Sequence, residues 1–187
     1  HCILFLAGLI LAGTRGVRVE ENIYKKGDWI VHSTYGVGQI QRIETKTIHG
    51  EQADVFRVKT RDSIYWLPVA NADNSRIRPI ADKDMLEKAL ELLTSKPAEM
   101  GSDYRVRNTR IKEIFSNGSL LEKVELLRDL LGIRSEKFWS NTENDAVHTI
   151  FEQLVNEYMI GFDIPVEVAR EKINAVILSQ FEDYSLV

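Results

Sequence analysis

Ten residues, Asp103 to Lys112, carry the most suggestive chemistry in the chain. DYRVRNTRIK sets Arg105, Arg107, Arg110 and Lys112 against one carboxylate, beside the large ring of Tyr104. Guanidinium forks match phosphate oxygens, and an aromatic face can stack at a base step. On a helix, Tyr104, Arg107 and Arg110 recur every three residues and fall along one flank. The stretch therefore reads as a local nucleic-acid contact, with an ordinary solvated helix face as the plainer alternative. The four histidines, His1, His32, His49 and His148, pair with no cysteine and with no HExxH spacing. They offer no zinc or nucleophilic site, so no catalytic residue, metal or cofactor is expected and the protein reads as a non-enzyme. Gly36-Val37-Gly38 lacks the third glycine and the following helix of a dinucleotide fingerprint. His32 fits a strand or turn residue satisfied by backbone. Tyr35, Phe56 and Tyr65 fit packing aromatics rather than a cage.

The elements that must position these residues fall into two sets. From Tyr24 to Gln52 the chain reads YKKGDWIVHSTYGVGQIQRIETKTIHGEQ, short apolar alternations broken by glycines. Trp29 and Val31 flank Ile30 in one strand. Val37, Ile40 and Ile43 mark a second, and Gly36 and Gly38 are placed to take the positive φ of a tight turn. Thr45 to Ile48 extends the β-branched run, Asp54 to Val58 alternates again, and Ser63 to Leu67 ends at Pro68, which suits a strand end or edge. Four or five short strands in so little chain predict a small β-barrel.

Past Ile80 the apolar period lengthens to that of a helix. Met85, Leu86, Ala89, Leu90, Leu92 and Leu93 mark the first helix. A second is expected from about Ser102 to Phe115, stopped by Asn117-Gly118, and a third from Leu120 to Leu131 with Gly132 just beyond it. Ser140 and Glu143 have capping-box spacing with Trp139 as a hydrophobic staple, opening a fourth helix that runs to Gly161. Pro165 opens a fifth, to about Phe181. The fold class is thus α+β, a barrel followed by an all-helical bundle of about five helices. Domains are expected at 23–80 and 81–187, with 1–22 as a leader. Pro79 and the lack of glycine at the junction predict limited interdomain freedom.

Charge divides along the same line. Glu20 to Ile80 carries nine basic and eight acidic side chains, whereas Ala81 to Val187 carries thirteen basic and twenty acidic, a net of -7. So acidic a domain repels the phosphate backbone overall, which limits any DNA contact to a local patch. The single cysteine, Cys2, excludes internal disulfides and thiolate clusters and fits a reducing cytoplasm. The apolar stretch His1 to Gly13 falls short of the roughly 20 residues of a bilayer span and lacks the basic flank of a secretory signal. It reads as an upstream extension, with a truncated signal or a partner-binding tail as alternatives. No membrane association is expected, and a monomer is the default.

GDWIVHSTYGVGQIQRIETKTIHGEQ at Gly27 to Gln52, the strand ending in Leu67-Pro68-Val69, and Ile77-Arg78 together resemble the CarD family of bacterial RNA polymerase-binding regulators, whose amino-terminal module is shared with the transcription-repair coupling factor. In the helical part the resemblance rests on Tyr104 and Arg107, EIFSNG at Glu113 to Gly118, Arg128-Asp129-Leu130, and the series Ser140, Glu143, Leu154 and Glu157. It covers the chain from about Ile23 to about Ile177.

The resemblance implies a Tudor-like or SH3-like barrel that docks on the RNA polymerase β subunit, and a helical domain that touches promoter DNA and acts on open-complex formation or stability. Polymerase-facing positions align with Lys46 and Trp66. Trp66 stands where an arginine occurs in the family, shifting the expected chemistry from ion pairing toward aromatic packing. The alternatives are a solvated charge for Lys46 and a barrel-core ring for Trp66. The family's wedge tryptophan aligns with Tyr104, a smaller stacking face. Arg107 matches a family arginine and is the first expected phosphate contact, with Arg105 and Arg110 second. Leu131-Gly132-Ile133 and Asn144 occupy positions that are more basic elsewhere in the family, so DNA contact is expected to be weak and polymerase-dependent. The alternative is an interaction module outside transcription, built on an SH3-like barrel.

Overall fold

The chain forms an antiparallel sheet followed by five helices, in a computed structural model that describes residues 23–48, 50–72, 76–134 and 139–181. The leader 1–22, with His1 and Cys2, and the expected turn residue His49 lie outside the described residues. The strands are β1 (Trp29–His32), β2 (Gly36–Ile48), β3 (Glu51–Lys59), β4 (Ile64–Pro68) and β5 (Ile77–Pro79), in the order β4-β3-β2-β1-β5. The first four make a meander, and β5 returns to pair antiparallel with β1. The expected α+β class holds, and among the described residues the sheet ends in two edges, β4 and β5, without closing, so it matches the expected barrel only roughly.

The run marked by Val37, Ile40 and Ile43 and extended by Thr45 to Ile48 forms one long strand, β2. Its register against β3 shifts between Ile40 and Arg42, a bulge that spends one extra residue. The bulge puts Ile40 and Ile43, three residues apart, on the same side of the strand, opposite Val58 and Phe56, whereas Val37, before the bulge, falls on the other side. Ile40 is buried, whereas Val37 is half-buried and Ile43 is exposed. Gly36 takes the expected positive φ of 71°. Gly38 does not, and its reason is room, since a Cβ there would stand 2.7 Å from Val58 Cγ1 and 3.3 Å from the Lys59 carbonyl oxygen. One sheet face carries the core residues Ile30, Ile40, Phe56, Val58, Tyr65, Leu67 and Ile77.

The helices are α1 (Lys83–Leu93), α2 (Tyr104–Asn117), α3 (Leu120–Arg134), α4 (Asn141–Phe162) and α5 (Val166–Gln180). Asp82 caps α1 by accepting from the Met85 backbone N–H, and Asp103 caps α2 by accepting from that of Arg105. The Ser140–Glu143 capping box at α4 is present in both directions. Trp139 packs on the bundle core and donates its indole N–H to the Leu130 carbonyl at 2.9 Å. Gly132, expected beyond α3, lies inside it, where a Cβ would meet Pro97 Cβ at 2.6 Å. The bundle closes around Leu86, Leu127, Leu130, Phe151, Leu154, Tyr158 and Ile173, all at most 1% exposed. Among the described residues no helix is long and apolar enough to cross a membrane.

Candidate docking face and nucleic-acid interface

The sheet's second face carries the first group of candidate residues. Side chains alternate along a strand, so Glu44 and Lys46 on β2, Val55 and Arg57 on β3, and Ile64 and Trp66 on β4 share that face. The register sets Glu44 opposite Val55 and Arg57 opposite Trp66. Val55 is fully buried, while Trp66, two strands from Lys46, remains 44% exposed. Its ring belongs to the outer face and not to the core. The Lys46 ammonium lies 3.3 Å from the Trp66 ring centroid, a cation–π contact. Lys46 is therefore not simply a solvated strand charge, and the structure brings the two candidate residues into one cluster.

Glu44 is the member that the sequence reading missed. Its carboxylate accepts from the Trp66 indole N–H, pairs with Arg42 at 2.9 Å and lies 3.7 Å from the Lys46 ammonium. The indole donor first, and Arg42 second, hold the Glu44 carboxyl below the usual glutamate range. A strand's period of two could have found it, since Glu44 and Lys46 must share a face. The cluster holds an indole ring in one orientation, open to solvent and ringed by charge. Such an anchor suits a protein partner, because a rigid aromatic loses little conformational freedom on docking.

A second aromatic group lies at the β1–β2 turn. Tyr35 stacks on Tyr65 with ring centroids 4.5 Å apart, and His32 meets both rings. His32 Nδ1 accepts from the Thr34 backbone N–H at 3.0 Å, the backbone-satisfied role expected for it. Burial, and then Arg76, lowers its pKa. Phe56 and Tyr65 are buried, whereas Tyr35 is exposed.

The helical candidates are divided by the fold. Tyr104 opens α2 and is 53% exposed, with the Arg105 guanidinium 5.8 Å from its ring centroid and exposed Val106 next in sequence. Arg107 lies on the inner side at 6% exposure. Its guanidinium pairs with Glu143 of α4 and donates to the Gly101 carbonyl at 3.0 Å. Arg110 pairs at 2.8 Å with Asp129 of α3, a fully buried carboxylate that also accepts from Arg128 and from the Ala98 backbone N–H. The expected shared flank is therefore absent. Steps of three drift around a helix, and they carry Arg107 and Arg110 from the exposed side toward carboxylates supplied by neighbouring helices. Arg105 and Lys112 are the exposed cations of the stretch. Among the described residues no group of three or more His, Cys, Asp or Glu side chains is placed to hold a metal ion.

A small antiparallel sheet with an outward ring-and-cation cluster, followed by an acidic helical bundle, is the class of architecture that these sites define. Residues 24–81 match the CarD-like/TRCF RID domain family, so the sheet half is a CarD-like domain and the resemblance noted from its residues holds there. The chain is also 24% identical over 137 residues to a Bacillus subtilis (strain 168) protein named "Putative transcription factor YdeB". That alignment covers 72% of this chain and 90% of the relative.

Proposed function

We propose that this protein is a bacterial transcription regulator of the cytoplasm, which docks on the RNA polymerase β subunit through the sheet face bearing Lys46 and Trp66. Its helical half then meets promoter DNA at Tyr104 and Arg105 and modulates open-complex formation or stability. The CarD-like match over residues 24–81 and the transcription-factor name of the Bacillus relative support the setting. The observation that carries the docking reading is the exposed Trp66 ring, fixed from one side by Lys46 and along its N–H by Glu44.

Co-purification of the full chain with the polymerase β subunit tests the reading. Trp66→Ala and Lys46→Glu are expected to weaken binding on the order of tenfold or more while leaving thermal stability unchanged, as for a central aromatic anchor and its charged neighbour. Wild-type affinity in both folded variants would remove this face from the interface. Open-complex lifetimes with Tyr104→Ala then test the DNA arm.

A second reading keeps the polymerase and drops the DNA, leaving the acidic helices to meet protein. The engagement of Arg107 with Glu143 and of Arg110 with Asp129 favours it. It expects Tyr104→Ala and Arg105→Ala to be silent on promoter complexes, where the first reading expects shortened lifetimes.

A further inference from the structure

The sheet and the bundle meet at a buried carboxylate that neither candidate site uses. Glu157 of α4 is fully buried. Its oxygens accept both arms of the Arg78 guanidinium, at 2.8 and 2.6 Å, and Arg78 belongs to β5 of the sheet. One of the same oxygens accepts the backbone N–H of Ala81, in the short connection between β5 and α1, at 3.2 Å. The other accepts from Gln153 one turn earlier at 3.3 Å, and Gln153 in turn accepts from Lys123 of α3 at 3.2 Å. Strand, connection and two helices thus converge on one carboxylate.

Elsewhere the contact between the halves is looser. A cleft of 510 Å³ separates Trp29, Val37, Gln39 and Lys59 on the sheet from Met159 and Ile160 on α4. Arg61 approaches Glu152 at only 4.0 Å, and Glu152 is held more closely by Arg170, at 2.5 Å. Apolar packing across the cleft is therefore incomplete, and directional bonds must do what close packing does inside each half. A fork-to-fork guanidinium–carboxylate pair fixes both distance and plane, as a single ammonium contact cannot.

We infer that Glu157 and Arg78 form an interdomain latch, a pair of positioning residues that sets the angle between the sheet and the helical bundle. Breaking the latch releases the angle without unfolding either half, because the two apolar cores are separate clusters. On the reading proposed above, and resting on it, the latch decides where Tyr104 lands once Trp66 is docked.

The test is a distance distribution in the isolated full-length chain. Spin labels are placed at Thr47 of β2 and Glu171 of α5, both exposed, in a Cys2→Ser background that removes the single native cysteine. The parent is expected to give one narrow peak. Arg78→Ala, at a half-exposed sheet-edge position, and Glu157→Gln, which keeps the shape but drops the charge, are each expected to broaden or displace that peak while helical circular dichroism stays at the parent level. A folded Arg78→Ala protein with the parent distribution overturns the latch. Should either variant lose helical signal, the other alone decides, and a folded Glu157→Gln protein with the parent distribution likewise overturns the latch. Polymerase is absent from the measurement, so failure of the latch and failure of the docking reading are read separately.

Discussion

Replacing Arg107 separates two roles that predict opposite signatures. As a surface phosphate contact it would contribute nothing to stability, since exposed substitutions away from special features shift stability by about 0.5 kcal/mol or less. The structure instead buries its guanidinium against Glu143, which is 1% exposed, with a further bond to the Gly101 carbonyl. Truncating one partner of such a pair strands the other charge in a dry site, at a cost of about 3–5 kcal/mol. In a chain of this size each kcal/mol moves the melting temperature by about 2–4 °C, so Arg107→Ala should lower Tm on the order of 10 °C. Thermal unfolding followed by helical circular dichroism measures it, with Arg105→Ala as the exposed comparison. Adding Glu143→Gln should restore part of the loss, because glutamine removes the stranded charge and still serves the capping box with Ser140. An Arg107→Ala protein that melts with the parent would refute the buried pair and return Arg107 to the surface.

Three further outcomes follow from named contacts. Burial alone would raise the Glu143 carboxyl, yet the Arg107 guanidinium and the Ser140 backbone and hydroxyl donors hold it below the usual glutamate range. Its stabilisation is therefore present above that range and lost as pH falls through the lowered folded value, and denaturant titrations at several pH values should show a smaller acid loss in Glu143→Gln than in the parent. Gly38→Ala forces a Cβ to 2.7 Å from Val58 Cγ1 and should cost about 1–3 kcal/mol in urea unfolding, with no gain from the stiffer backbone. Trp66→Phe keeps a ring but deletes the indole donor, so the Glu44 carboxyl, followed by side-chain NMR, should titrate closer to an ordinary glutamate; an unchanged midpoint would show that the indole bond does not hold it down.

What the sequence revealed was local, and what it concealed was tertiary. Ser140 and Glu143 announce the α4 capping box because both partners lie within one turn. The change of period past Ile80 marks the passage from β5, ending at Pro79, to α1, beginning at Lys83, since strand and helix sort their apolar residues differently. Gly38 and Gly132 resemble turn and cap glycines in the sequence, but each answers a close approach by a distant residue, Val58 or Pro97. The bulge at Gln41 upset the alternation of β2 in the same way, because only the partner strand defines it. Trp66 could have been a core ring on composition alone, and β4 turned it outward because Tyr65 and Leu67 take the inner positions. Arg107 and Arg110 looked like a basic flank because the carboxylates that engage them lie 36 and 19 residues away.

The engagement of those two arginines changes the energetics of any DNA contact more than it changes its location. Exposed Arg105 and Lys112 remain in a helical half of net charge -7. Non-specific affinities of about 10⁻⁴–10⁻⁶ M at physiological salt come from many neutralised phosphates, and two cations in an acidic field cannot supply them. On the proposed reading the deficit is met by docking, which presents the helical half to DNA at an effective concentration that can reach about mM. That value applies only where the geometry allows both contacts at once, and a freely swinging bundle would spread it over orientations in which Tyr104 faces solvent. A short connection pinned by Ala81 and a fork from Arg78 to Glu157 restrict the orientations instead. Weak intrinsic DNA affinity and a rigid interdomain junction are then one requirement, because the less the patch contributes by itself, the more the angle that presents it must be fixed.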